Sequence, residues 1–204
     1  MVRRIDRAQR QQDIAEAAIR LLAKGGSSAL TLSALAAELG GSQTLITHFY
    51  PNRADLFRAI TDGIIASYDE EIRRLENDAP PRERLRLLLE WMLPITRQAK
   101  LAERTRVLMI SQMDTDASVK HFYDAMDKKM RQLLKDHLSP LVAADRVALT
   151  VDLLRVTING VVLSTAEHPN AWSKARQLAV ISELLDALGL AEPAPRAVAA
   201  RARA

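Results

Sequence analysis

Residues 31–56, TLSALAAELGGSQTLITHFYPNRADL, constrain this chain more than any other stretch. Leu32, Leu35, Ala36 and Leu39 recur at i, i+3, i+4 and i+7, which predicts an amphipathic helix over 32–39. Gly40-Gly41 follows, the residue type that a tight helix–helix turn requires. Ser42 offers a side-chain oxygen to cap a second helix over 43–50. That helix turns Ile46 and Phe49 toward a core and leaves Gln43, Thr44, Thr47 and His48 outward. Short polar side chains of this kind can reach base edges in the major groove of duplex DNA. Pro51 ends the helix, because its ring and missing N–H cannot extend the ladder. Asn52 can then cap a third helix.

Arg53 stands in the first turn of that third helix, where the macrodipole ordinarily favours an acid. A cation there makes sense when the space outside is filled by a phosphate, bound jointly by the helix amides and the guanidinium. Thr31 is placed to do likewise at the start of the first helix. Taken alone, Thr31, Ser42 and Asn52 are ordinary caps, and the two roles are compatible. Their co-occurrence with the glycine turn and the polar helix is what points to DNA.

On these residues, the region 1–60 resembles the DNA-binding domain of the TetR family of transcriptional repressors. The matching pattern is Thr31, Leu35, Ala36, Leu39, Gly40, Ser42, Ile46, Phe49, Tyr50, Asn52, Arg53 and Leu56. The resemblance implies that Arg53 contacts phosphate, with Phe49 at the family's aromatic or histidine phosphate position and Tyr50 beside it. Two departures stand out. Thr47 replaces the usual tyrosine, and Phe49 lacks a donor, which leaves His48 as the substitute. Beyond this segment the resemblance rests on helix pattern and length.

A chain of 204 residues can bury a sizeable core. With no cysteine it has no disulfide, thiolate nucleophile or Cys-based zinc site. No apolar run approaches the ~20 residues of a membrane span. Residues 1–12 are not followed by the apolar region of a signal peptide, so a cytoplasmic location is expected. The net charge of +4 is unevenly placed. Residues 1–60 carry eight Lys/Arg against five Asp/Glu, and 193–204 carry three arginines and no acid. Residues 61–192 are slightly acidic, with eighteen basic and twenty acidic residues. A basic head on a neutral body suits nucleic-acid binding.

Gly and Pro are sparse and strand patterns nearly absent, which predicts an all-α fold. The expected architecture is an N-terminal three-helix helix-turn-helix domain over 1–54 and a C-terminal helical effector-binding and dimerisation domain over 55–190. A disordered tail over 191–204 follows, rich in Ala, Pro and Arg. Arg3, Arg4, Arg7 and Arg10 read either as an arm reaching DNA or as a solvated helix face. The first helix, with Ile14, Ala18, Leu21 and Leu22 at helical spacing, is expected to stop at Gly25-Gly26. The long helix after Arg53 carries Leu56, Ile60, Ile64, Tyr68, Ile72 and Leu75 on one face. It leads out of the motif into the body and is closed by Asn77-Asp78-Ala79-Pro80-Pro81. Segment 82–100 is helical in pattern but should kink or split at Pro94, and 101–113 forms another helix. A further helix runs from the break at Asp114–Asp116 to near Pro140. Segments 143–167 and 171–188 form a pair closed by Gly189, a C′ glycine.

Catalysis finds little support, and no enzyme activity, metal or cofactor is expected. His48, His121, His137 and His168 are scattered, and His121 with Asp124 supplies only two ligands. Asp114, Asp116 and Ser118 resemble the start of a calcium loop, but Ala125 stands where its bidentate glutamate belongs, so helix capping by Asp116 is the better reading. Trp91, Met92, Met109, Met113, Phe122, Met126 and Met130 fit either a plain core or a cavity for an apolar or amphipathic ligand. The resemblance tips that balance toward an effector site, because TetR-type bodies bind small molecules. It also makes the break at Pro94 a place where freed carbonyls could meet a ligand. The last two helices, about 143–188, are apolar on more than one face. A second subunit is the simplest cover, although Asn159 and Gly160 in that run also fit core packing. The expected function is a homodimeric repressor released from a palindromic operator by a small molecule. The rival is a helical small-molecule-binding protein or enzyme in which the helix-turn-helix is only structural.

Overall fold

A computed structural model describes residues 7–191 and shows nine α-helices and no strand among them. They are α1 (Arg7–Ala29), α2 (Leu32–Glu38), α3 (Gln43–Phe49), α4 (Arg53–Glu76), α5 (Pro81–Trp91), α6 (Arg97–Met109), α7 (Ala117–Leu138), α8 (Ala144–Glu167) and α9 (Lys174–Ala187). The all-α expectation holds. Arg3, Arg4 and the tail over 192–204 lie outside the described residues.

Two boundaries differ from the sequence reading. Helix α1 does not stop at Gly25-Gly26 but continues to Ala29. A glycine inside a helix costs only about 1 kcal/mol against alanine, a weak preference that tertiary context overrides. At Pro94 the segment splits, one of the two outcomes expected, but the second helix starts at Arg97, earlier than Leu101. Helix α5 ends at Trp91, Thr96 caps α6 through the Ala99 amide at 3.0 Å, and α6 runs unbroken past Lys100 to Met109.

Two apolar clusters organise the chain. The first joins Ile14, Ala18, Leu35, Ile46, Leu56, Phe57 and Ile60 and takes in Met109 and Val119 from the body. The second joins Leu85, Leu88, Leu89, Leu133, Leu134, Leu154 and Ile158. Helix α4 crosses from one to the other, with Ile64 on the first and Tyr68 and Ile72 on the second. At its far end Glu76 is buried, held by Arg84 at 2.6 Å and by His137 on α7.

Against the sequence expectation, helix α8 is long and apolar enough, by length and composition, to cross a membrane. One of its faces nevertheless packs into the second cluster through Val147, Val151, Leu154, Ile158, Val161 and Val162. Its opposite face leaves Leu149, Leu153, Val156 and Leu163 exposed.

Candidate nucleic-acid interface and ligand cavity

The α2–α3 pair is built from local interactions that its sequence encodes. The Thr31 hydroxyl accepts from the Ala34 amide at 3.0 Å, and Leu35 and Ala36 are buried. Gly40 adopts φ +61°, the left-handed conformation that needs glycine. Its amide donates to the Ala37 carbonyl and the Gly41 amide to the Ala36 carbonyl, the Schellman arrangement that closes a helix C-terminus. Ser42 then caps α3 at the Leu45 amide.

Helix α3 anchors itself with Ile46, which is 1% exposed. Gln43, Thr44 and His48 are exposed, and Thr47 is half-buried with its hydroxyl donating to the Thr44 carbonyl at 3.2 Å. Phe49 packs partly on the first cluster, its ring edge-on to His48 at 5.3 Å between centroids. Tyr50 is buried in that cluster, which makes it a core residue beside the exposed face. Helix α3 carries no Lys or Arg, so its outward face offers hydrogen-bonding groups rather than fixed charge.

Arg53 is partly buried at the start of α4. Its Nε donates to the Leu30 carbonyl at 3.0 Å and its Nη1 to Asp116 Oδ2 at 2.7 Å, with the guanidinium over the Phe57 ring. Asp116 also caps α7 by accepting from the Ser118 and Val119 amides, as its position in the sequence suggested. Burial raises the Asp116 carboxyl, but Arg53 and the two amides together outweigh it and hold the group below the usual carboxylate range. The residue expected to meet phosphate therefore also ties the head to the body.

The body contains a cavity of about 550 Å³ between α4, α5, α6, α7 and α8. Of the sequence candidates, Trp91, Met92, Met113 and Met126 line it, as does Met130. Met109 and Phe122 do not. Both pack in the first cluster, where the Phe122 ring stands edge-on to Phe57 at 6.2 Å. The carbonyl of Pro94 accepts from the Gln177 side chain at 3.3 Å, so the interruption there serves packing against α9.

The sequence reading missed the polar wall of this cavity. Arg106 pairs with Glu103 at 2.6 Å and lies over the Tyr123 ring, whose hydroxyl donates to the Arg106 carbonyl. Arg155 donates to Asp127 at 2.9 Å and to Asn159 at 2.9 Å. Opposite this wall, Tyr68 meets Trp91 edge-on at 4.8 Å. Burial, reinforced by Glu103, pushes the phenols of Tyr68 and Tyr123 up to about 12. Both therefore remain hydrogen-bond donors at neutral pH. An apolar face opposite two paired guanidiniums suits an amphipathic guest.

Residues 81–190, more than half of the chain, match the family described as BetI-type transcriptional repressor, C-terminal. Residues 14–60 match bacterial regulatory proteins of the tetR family. This chain belongs to the TetR family. A curated relative, the nucleoid occlusion factor SlmA of Photobacterium profundum, is 24% identical over 135 residues, 64% of this chain and 69% of the relative. A TetR transcription regulator from Haloarcula marismortui superposes with a TM-score of 0.73 at 22% identity, covering 88% of this chain and 98% of the other. A transcriptional regulator from Saccharomonospora viridis, solved in complex with choline, superposes at 0.70 with 19% identity, covering 88% and 97%. Likeness at these identities establishes the fold. Of the two family matches, the first falls on the body described above and the second on the head.

Proposed function

We propose that this protein is a homodimeric transcriptional repressor that releases a palindromic operator when a small amphipathic effector fills the cavity of its body. The observation that carries the DNA reading is the outward set Gln43, Thr44 and His48, with Thr47 half-buried beside them, on a helix anchored inward by Ile46. Residues 1–54 form the DNA-binding unit in this reading, and 55–190 the effector and dimer unit. Gln43, Thr44, Thr47 and His48 face base edges, while Thr31, Ser42, Phe49, Tyr50 and Arg53 hold or flank the phosphate contacts. Two such helices related by a two-fold axis would enter successive major grooves ~34 Å apart.

The effector half of the reading is supported by the cavity, whose lining combines Trp91, Met92 and Met126 with Arg106 and Arg155. The choline-bound structural neighbour shows that a relative of this fold holds a small molecule. The dimer half is supported by the exposed apolar residues of α8, whose other face is already committed to the core. Gel shift with the DNA flanking the chain's own gene tests the function. The expected result is a salt-sensitive complex that a small amphipathic molecule dissociates. Failure to bind any duplex at low salt would reject it.

A further inference from the structure

The last turn of α4 is held to the body by a proton-bearing pair rather than by apolar side chains. Of residues 73–76 only Glu76 is buried, since Arg73, Arg74 and Leu75 are exposed, and Asn77 at φ +37° ends the helix there. Glu76 reaches His137 on α7 and Arg84 on α5, so one carboxylate joins three helices. The His137 ring stands between two oxygens. Its Nδ1 faces the Leu133 carbonyl at 2.7 Å and its Nε2 faces Glu76 Oε1. The Leu133 carbonyl can only accept, and Glu76 already accepts from Arg84 through Oε2. Two contacts of this kind need two ring N–H groups, or one N–H and a proton on Oε1. In either form the pair holds one proton more than a carboxylate and a neutral ring.

We infer that Glu76 and His137 form a proton-operated clamp between α4 and α7, closed while the shared proton is bound and loosened as pH rises. A neutral ring has one N–H for two acceptors, so either tautomer turns one contact into two facing lone pairs. The charges around the ring balance only with the proton in place. Asp69 from α4, Asp78 from the connector and Asp136 from α7 line one crevice with Glu76, against Arg73 from α4 and Arg84 from α5. Lys129 of α7 pairs with Asp69. Four carboxylates thus meet three fixed cations, and the imidazolium makes the sum zero. The crevice, about 640 Å³ and bordered by the exposed Asn77, Asp78 and Asp136, gives the buried pair a path for proton exchange.

The closed clamp binds one proton that the loosened one gives up, so closure is favoured at lower pH and lost as pH rises. The pair lies about two turns along each helix from the cavity, past Tyr68 on α4 and Met130 on α7. Loosening it frees one end of the α4–α7 wall. The clamp works the same way whether or not the protein is a repressor.

Hydrogen exchange of the intact protein, read by mass spectrometry over residues 73–79 and corrected for the pH dependence of an unstructured chain, reports on the clamp. Protection there is expected to fall roughly tenfold from neutral to mildly alkaline buffer, while that of α8 stays level. His137→Gln supplies a donor to Glu76 that does not titrate. Glu76→Gln supplies one to the neutral ring while its oxygen still accepts from Arg84. Protection in both variants should no longer depend on pH. Level protection in the native chain over that range overturns the clamp. An unchanged pH dependence in a folded variant also overturns it, because the titrating group then lies elsewhere. Should both variants fail to fold, NMR of the native chain labelled at histidine decides. The His137 ring signals must then shift over the same pH range in which protection falls, and a shift outside that range overturns the clamp.

Discussion

Arg53 and Asp116, 63 positions apart, meet through a 2.7 Å hydrogen bond between Nη1 and Oδ2 that joins the start of α4 to the start of α7. Helix α7 continues from there to Tyr123, Met126 and Asp127 on the cavity wall. The cation at the edge of the head and the cavity in the body are thus linked by one helix. In the proposed DNA complex, a phosphate approaching Arg53 would compete with Asp116 for the guanidinium.

Replacing Asp116 by Asn keeps a capping oxygen for α7 and removes the competing charge. Operator affinity is expected to rise on all sequences alike. Arg53→Ala should lower it uniformly and reduce the salt slope by about one unit. In the Arg53→Ala background the Asp116→Asn effect should vanish. Fluorescence anisotropy over a salt series, arranged as a double-mutant cycle, checks this. Independent effects of the two substitutions would refute the competition.

Asp116 and Asp127 also give the fold an acid limit. Burial raises each carboxyl, but the arginines beside it, Arg53 for Asp116 and Arg131 with Arg155 for Asp127, outweigh burial and lower it. A carboxylate lowered in the folded state contributes stability that is present at neutral pH and lost as pH falls through its folded value. Thermal unfolding should therefore show a melting temperature that is level near neutrality and falls in the acid range, less steeply in Asp127→Asn. An equally steep fall in that variant would contradict the assignment.

Glu76 is buried between His137 and Arg84, and both ring nitrogens of His137 face oxygens, Nδ1 that of Leu133 at 2.7 Å. Glu76→Ala leaves a buried polar ring without its partner and should cost about 1–3 kcal/mol. Calorimetry should record a drop of roughly 2–4 °C per kcal/mol for a chain of this size. The proposed DNA contacts lie at the other end of α4, so operator affinity at low temperature should be unchanged.

Phe122 and Met109 separate packing from ligand contact. Phe122→Ala opens a gap beneath Phe57 and should destabilise the fold by about 2–4 kcal/mol. Val162→Phe, which points bulk into the cavity wall, should instead abolish the effector response and spare DNA binding. Thermal shift with a panel of amphipathic ligands distinguishes the two. An effector shift that survives Val162→Phe would remove the cavity from the account.

The head was legible in the sequence because its determinants are local. Thr31, Gly40 and Ser42 act on amides within a few residues of themselves, and α2 and α3 begin where their caps stand. The cavity was only half legible. Trp91, Met92, Met113 and Met126 carry a composition signal, but Met109 and Phe122 carry the same signal and sit in the other cluster. Arg106, Asp127 and Arg155 gave no signal along the chain, since it is the packing of α6, α7 and α8 that brings them to one wall. Only the i, i+4 spacing of Arg155 and Asn159 hinted at a shared surface. Gly25-Gly26 misled because glycine inside a helix carries only a weak penalty, and α1 continues through the pair to Ala29.

The most direct test of DNA recognition by α3 is an anisotropy titration of the intact protein on duplex libraries, repeated for Gln43→Ala, Thr44→Ala and His48→Ala. The account predicts salt-dependent binding to a two-fold symmetric site, with each substitution changing preference at particular base pairs by about 1–3 kcal/mol. Unaltered sequence preference in all three variants, or no binding to any duplex at low ionic strength, would contradict it.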